Sequence, residues 1–407
     1  MICRLCRTET GEPFLSLGPQ PLSNRYLTRE ELRKKEVFYS LDVFLCPQCF
    51  LVQVESSVSP EETFSEYAYC SSYSQTWLEH CRGYAEKVSS LFRLGKNSLV
   101  VEVASNDGCL LKFFREAGFR VLGVEPAHNI ARVARKNGIP TESVFFSSRV
   151  ARTLVKRGYQ ADLVVANNVL AHVPAPHDFV RGLRVLLKPE GVLTVEFPHL
   201  MRMIEENQFD TIYHEHLCYF SFFVARRLLE TNGLVVFDVE RINTHGGSLR
   251  IYAGLPESWG KKKKLRVEEL EKEERRAGYD QAEVFHRFEK RVQVLKRDLL
   301  ELLITLKRQG KKIVGYGAPA KGNTLLNYCG IRSDFLDYTV DRNPLKQGRF
   351  LPGSHIPVYP PEMIEQTQPD YVLILPWNIK DEIMRQVSYL RKWGGKFIVA
   401  IPKVEVL

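Results

Sequence analysis

Leu99-Val100-Val101-Glu102-Val103-Ala104-Ser105-Asn106-Asp107-Gly108-Cys109-Leu110-Leu111 decides the fold. An apolar, β-branched run reads as a buried strand, the polar stretch closed by glycine as a tight turn, and the apolar residues after it as a helix start. The pattern repeats downstream. Helix is expected over 110–117, 130–136 and 179–187, and strand over 121–125, 162–166 and 192–197. Alternating strands and helices of this kind build βαβ units and a parallel sheet. Residues 198–255 read as irregular, rich in aromatics and histidine. Residues 266–309 read as one long helix, because Val284, Phe288, Val292, Leu295 and Leu299 recur at helical spacing. A second, smaller α/β unit opens with Lys312-Ile313-Val314-Gly315-Tyr316-Gly317.

The chain has 407 residues, more than the roughly 250–300 at which one core stops growing, so two or three domains are expected. With 44% hydrophobic and 26% charged residues it has the composition of a globular protein, which excludes a disordered or fibrous chain. No run approaches the ~18 apolar residues of a membrane span. The start Met1-Ile2-Cys3-Arg4 lacks the apolar run of a secretory signal, so no membrane partner and a cytoplasmic location are expected. A net charge of +9 favours anionic ligands, and a nucleic acid or a phosphorylated metabolite would both satisfy it.

Of nine cysteines, Cys3, Cys6, Cys46 and Cys49 form two tight pairs near the start. Each C-x-x-C turn can present two thiolates to one metal, and two such turns complete the tetrahedron that zinc prefers. Four protein ligands leave no open position, so a structural zinc is expected. The second pair follows an alternating strand, as in a zinc ribbon.

The turn Ser105-Asn106-Asp107-Gly108 sits at the carboxyl end of its strand, where open α/β sheets bind ligands. Glu125, before Pro126 at the end of the next strand, can accept from both hydroxyls of a ribose. Glu102 can orient the turn or face a cationic group. Asn167 and Asn168 close the third strand end, where backbone amides can flank an adenine or an amino-acid tail. The turn lacks the spaced glycines that cradle a pyrophosphate. Together these residues resemble the class I S-adenosylmethionine methyltransferases, and that likeness implies S-adenosylmethionine as cofactor.

Tyr213-His214-Glu215-His216 concentrates a phenol, two imidazoles and a carboxylate. The two histidines do not share a helix face, which disfavours a metal site, whereas an imidazole oriented by a carboxylate suits a general base. With the four cysteines, the 105–108 turn, the 166–172 segment containing His172, His245-Gly246-Gly247-Ser248 and Gly315-Tyr316-Gly317-Ala318-Pro319-Ala320-Lys321-Gly322-Asn323, this motif resembles the sugar C-methyltransferases of deoxysugar biosynthesis. The resemblance spans nearly the whole chain. It implies a zinc-binding domain over 1–70, a methyltransferase domain over 71–255 and a Rossmann-like sugar-nucleotide domain over 256–407. It also implies methylation of a nucleotide-linked 4-keto-6-deoxysugar at C-3, with thymidine diphosphate as carrier and a monomeric enzyme. Carried over by residue, His216 is the base, Tyr213, Glu215 and His172 are its neighbours, and Tyr67 or Tyr69 joins them. Expected substrate contacts are His214, His245, Gly246, Gly317, Lys321 and Asn323, with Lys321 on the phosphates.

Two rival functions remain open from sequence. Gly315-Tyr316-Gly317-Ala318-Pro319-Ala320 with Asp341 after the next strand reads as a dinucleotide fingerprint, hence an NAD-dependent sugar oxidoreductase. The zinc ribbon and basic charge would fit a nucleic-acid methyltransferase, but no basic stripe interleaved with aromatics supports a nucleic-acid partner.

Overall fold

The computed structural model describes residues 1–55, 58–59, 71–73 and 75–407; Tyr67 and Tyr69 lie outside them. The first unit is organised by the four cysteines. Phe50 N–H donates to the Cys46 carbonyl at 3.0 Å, and Arg7 N–H to the Cys3 carbonyl at 3.1 Å, so each C-x-x-C pair closes one turn. The residue after each pair, Arg7 at φ 67° and Phe50 at φ 61°, turns left-handed to do so. All four Sγ atoms lie within 4.8 Å of one another. A zinc–sulfur bond of about 2.3 Å gives a tetrahedron edge of about 3.8 Å, so the donor set fits zinc.

Strands β1 (Leu15–Gln20), β2 (Tyr39–Leu45) and β3 (Val52–Val54) form an antiparallel sheet beside these turns, and β9 (Cys218–Tyr219) from the middle of the chain completes it. Arg4 ties the first knuckle to this sheet, its backbone N–H donating to Gln53 Oε1 at 3.1 Å and its guanidinium to the Val54 carbonyl at 2.8 Å.

The central sheet has seven strands: β4 (Leu99–Val103), β5 (Arg120–Val124), β6 (Thr141–Glu142), β7 (Ala161–Asn167), β8 (Leu187–Pro198), β10 (Val235–Ile242) and β11 (Ser248–Gly254). Their order is β10-β11-β8-β7-β4-β5-β6, and β11 runs antiparallel to both its neighbours. Strand order reverses at β4, so the ends of β4, β5 and β7 open side by side. Helix Gln75–Leu91 covers one face through Cys81, Tyr84, Ala85 and Val88, all buried at helical spacing. The stretch 198–255, expected to be irregular, instead supplies β9, helix Phe222–Thr231 and the two strands that finish the sheet.

The expected long helix is two, Leu265–Arg276 and Glu283–Arg308. The chain breaks where Gly278 adopts φ 84°, a conformation that ends a helix at no side-chain cost. The second helix buries Val284, Phe288, Val292, Leu295, Leu299, Leu303 and Leu306 along one stripe. The last unit is a six-stranded sheet in the order β14-β13-β12-β15-β16-β17, built from β12 (Ile313–Tyr316), β13 (Thr339–Val340), β14 (Val358–Tyr359), β15 (Tyr371–Ile374), β16 (Lys396–Val399) and β17 (Glu405–Val406). No helix among the described residues is long and apolar enough to cross a membrane.

Because the thiolates hold the first sheet together, Cys46→Ser is expected to lose the bound zinc and lower the thermal midpoint. Metal analysis beside a calorimetric scan checks this, and an unchanged midpoint in a metal-free variant would deny zinc a folding role.

Candidate active site

Three strand ends form the first half of the site. The turn after β4 carries left-handed residues at Ala104, Asn106 and Gly108, with φ of 60°, 48° and 79°. Glycine is required at 108 twice over, since an added Cβ would also come within 2.8 Å of Ile139. Glu125 accepts from the Asn106 and Ala127 amides, each at 2.9 Å. One lone pair on each of its oxygens remains for a ribose hydroxyl. Asn106 Oδ1 accepts from the Ser71 N–H at 2.9 Å, and Asp107 Oδ2 from the Ser72 N–H at 3.1 Å, so these side chains hold the start of the preceding segment as well. Pro126 follows Glu125 and leads the chain into helix His128–Lys136.

The polar atoms left over point to a ligand. Glu102 Oε2, Ser105 Oγ, Asp107 Oδ1, Asn167 Oδ1 and Asn168 Oδ1 are all buried without a partner among the described residues. A buried polar atom left unmet costs about 1–3 kcal/mol, so five around one crevice fit a ligand bearing hydroxyl, ammonium and ring-amine donors, as S-adenosylmethionine does. Burial, followed by the charges of Cys109, Asp107 and Glu125, holds the Glu102 carboxyl well above its ordinary value.

The second half is the 209–216 turn. His216 Nδ1 lies 2.8 Å from the Thr211 carbonyl, which can only accept, so Nδ1 carries the proton and the lone pair sits on Nε2. Tyr213, three residues earlier, lies tilted over the imidazole at 4.0 Å between ring centroids, and its O–H donates to Nε2 at 2.8 Å. His172 packs edge-on against His216 at 4.7 Å and gives its Nδ1–H to the Glu215 carbonyl at 2.8 Å. Glu215 is buried, and its Oε1 accepts from Asn24 of the zinc unit at 2.7 Å. Burial first, then the charge of His172, holds His216 well below the usual imidazole value near 6.5, so it is neutral at physiological pH.

The expected substrate contacts divide. His245, left-handed at φ 53° and 5.5 Å from the Trp77 ring, is pulled down to about 4 by burial, then by the charge of Lys321. Gly246 lies against Trp377, where a Cβ would approach to 2.5 Å. Three others make contacts within the protein. His214 binds the zinc unit, with Nε2 donating to the Tyr39 and Ser40 carbonyls at 3.3 and 3.2 Å. Asn323 is buried and donates to the Ser23 carbonyl at 2.6 Å. Gly317 is packed under Pro376. Lys321 reaches Asn378 Oδ1 at 2.8 Å and the Trp377 ring at 4.5 Å.

Three neighbouring groups escaped the sequence reading. Trp377 and Asn378 come from the loop after β15, and the Trp377 indole N–H donates to Asp210 Oδ2 at 2.8 Å. Asp210 was readable only as a carboxylate three residues before Tyr213. Burial pushes it up to about 7, against the pull of Lys321. In the last unit Asp341, the supposed ribose ligand of a dinucleotide fold, accepts from the Ala318 and Asn343 amides at 2.7 and 2.8 Å. Lys346 and Tyr26 also fill the Ala318 carbonyl, so this turn is braced by the protein itself.

Three segments of the chain match known protein families. Residues 3–64 match a zinc binding domain, 76–239 a methyltransferase domain and 243–402 the C-methyltransferase C-terminal domain. The chain is 36% identical to the C-methyltransferase NovU of Streptomyces niveus over 100% of its own length and 96% of that protein's. Among solved structures, the PH0226 protein of Pyrococcus horikoshii OT3 is 14% identical with a TM-score of 0.38, covering 48% of this chain and 97% of that one. The magnesium protoporphyrin IX methyltransferase of Synechocystis PCC 6803 is 15% identical with a TM-score of 0.35, covering 44% and 82%.

The buried imidazoles predict a titration. His172 and His245, both held at about 4 by burial, are neutral in the folded chain and take protons in the unfolded chain near 6.5. Each therefore contributes stability that is fully present above pH 6.5 and lost as pH falls toward 4, at up to about 1.36 kcal/mol per unit; the Asp210 carboxyl, raised to about 7, works in the opposite sense. Histidine-labelled NMR should show both rings unprotonated at pH 5.5, and protonation of either at that pH contradicts the burial.

Proposed function

We propose, for a chain that belongs to the C-methyltransferase family and depends on S-adenosylmethionine, that the methyl acceptor is the carbon beside the ketone of a nucleotide-linked 4-keto-6-deoxysugar, at C-3. The observation that carries this reading is the orientation of His216. Its Nδ1–H is spent on the Thr211 carbonyl, so the buried, neutral ring keeps its lone pair on Nε2, with Tyr213 and His172 packed against it. Methylation of oxygen or nitrogen needs little more than alignment, because those atoms already carry a lone pair. A carbon next to a carbonyl must first lose a proton, which calls for a base held in one tautomer.

Bound in the crevice at the ends of β4, β5 and β7, S-adenosylmethionine supplies an electrophilic methyl on a positively charged sulfur. The chain's own residues do the rest. Tyr213 gives up its hydrogen bond to Nε2 when the sugar enters, and His216 takes the proton from C-3. His172 fixes the ring edge-on through its own bond to the Glu215 carbonyl, and Asn24 steadies Glu215 from the zinc unit. Either Tyr67 or Tyr69 belongs to this site by family likeness. The reading takes thymidine diphosphate as the carrier, the monomer as the working unit without nucleic acid, and the cytoplasm as its place. It assigns 1–70 to zinc, 71–255 to methyl transfer and 256–407 to the sugar nucleotide.

His216→Asn keeps a donor in place of Nδ1–H but offers no basic lone pair. Both methyl transfer and solvent deuterium exchange at the sugar carbon should fall by about 10²–10⁴-fold while the fold is retained. Exchange at the wild-type rate in this variant would remove His216 from the role of base.

A further inference from the structure

Lys321 is held in a way that phosphate binding does not explain. It occupies the first turn of helix Ala320–Cys329, yet its ammonium reaches across to the loop after β15, donating to Asn378 Oδ1 at 2.8 Å and lying 4.5 Å over the Trp377 ring. Trp377 is itself fixed by its indole N–H on Asp210 Oδ2. Asp210 is fully buried, and its Oδ1 has no partner among the described residues. One turn along the same helix face, Thr324 Oγ1 donates to the Ile212 carbonyl at 2.9 Å. The Lys321 face of the helix is thereby clamped onto the 209–212 turn, the same turn whose Thr211 carbonyl orients His216. Base and ammonium thus stand on one rigid support.

An ammonium has three N–H donors, and only two of the three are accounted for by Asn378 and the indole face. The other donors beside the base are committed. His172 is neutral, and its one N–H goes to the Glu215 carbonyl; the Tyr213 O–H goes to His216. An enolate forming here needs a charged donor in a dry pocket, where such a contact is worth far more than in water. Lys321 lies near enough to both His216 and His245 for its charge to lower each of them.

We propose that Lys321 is a catalytic residue whose ammonium donates to the ketone oxygen of the keto sugar and takes up the negative charge as His216 removes the neighbouring proton. Asp210 and Trp377 are its positioning residues. This role rests on the substrate reading above. The electrons of the broken C–H bond become the enolate π bond, with charge on the oxygen facing Lys321 and the proton on His216 Nε2. The enolate carbon then forms the new C–C bond, the sulfur–methyl bond breaks with its pair kept by sulfur, and the carbonyl re-forms. His216 later loses its proton to water.

Deuterium exchange into the sugar carbon, followed by NMR without the methyl donor, isolates the enolate step. With thymidine-diphosphate-linked 4-keto-6-deoxyglucose as probe, Lys321→Met should slow exchange at saturating substrate by about 10²–10³-fold. Binding of thymidine diphosphate alone, read by calorimetry, should be unchanged, and Lys321→Arg should recover part of the exchange. Wild-type exchange in Lys321→Met, or full exchange with weakened thymidine diphosphate binding, overturns the proposal in favour of a phosphate contact. If Lys321→Met loses its near-ultraviolet spectrum, Lys321→Gln decides by the same two readings. Failure of the wild-type chain itself to exchange or methylate the probe sinks the substrate reading and this role with it, and is told apart because it appears before any substitution.

Discussion

One residue, Leu217, joins the parts that must act together through its backbone N–H and C=O. Its N–H donates to the Ala171 carbonyl at 2.7 Å and its carbonyl accepts from the Val54 N–H at 3.1 Å, one residue past His216. On one side lies the turn that carries His172; on the other lies β3 of the zinc unit, paired with β9 from Val52 to Tyr219. Each bond is worth only about 0.5–1.5 kcal/mol net. Together they convert the stiffness of a metal-closed knuckle into a fixed position for His216, which has no helix of its own to stand on.

That constraint explains why the metal sits far from the chemistry in sequence yet matters to it. Zinc closes two turns whose next residues are left-handed without glycine, at a cost of roughly 1–2 kcal/mol each. The turns hold β2 and β3, and β2 in turn offers the carbonyls that His214 binds. His214 and His216, neighbours in one motif, therefore do different work: the first anchors the motif to the zinc unit and the second pairs with Thr211 and Tyr213.

Much of this was legible in the residues. The buried strand and the turn at 99–108 declare themselves by an apolar, β-branched run closed by polar residues and glycine, and the paired cysteines by spacing. The strands at 235–242 and 248–254 were hidden because a pattern that alternates poorly beside histidines and glycines looks like loop, and only pairing with β8 makes it sheet. The break at Gly278 was masked by helical periodicity on both sides of it. Asp210, Trp377 and Asn378 could not be assembled from sequence at all. Their grouping depends on side chains separated by 167 positions finding one another, and no local pattern encodes that.

The four residues Ser23-Asn24-Arg25-Tyr26 meet partners far down the chain: Asn24 meets Glu215, Ser23 meets Asn323 across 300 positions, and Tyr26 meets Ala318 across 292. During synthesis the head of the protein leaves the ribosome long before those partners exist. A stalled or shortened chain can close its zinc knuckles but cannot seat residues 23–26. Contacts of such long separation form late and slowly. Seating of residues 23–26 therefore waits until the chain has been made past Asn323.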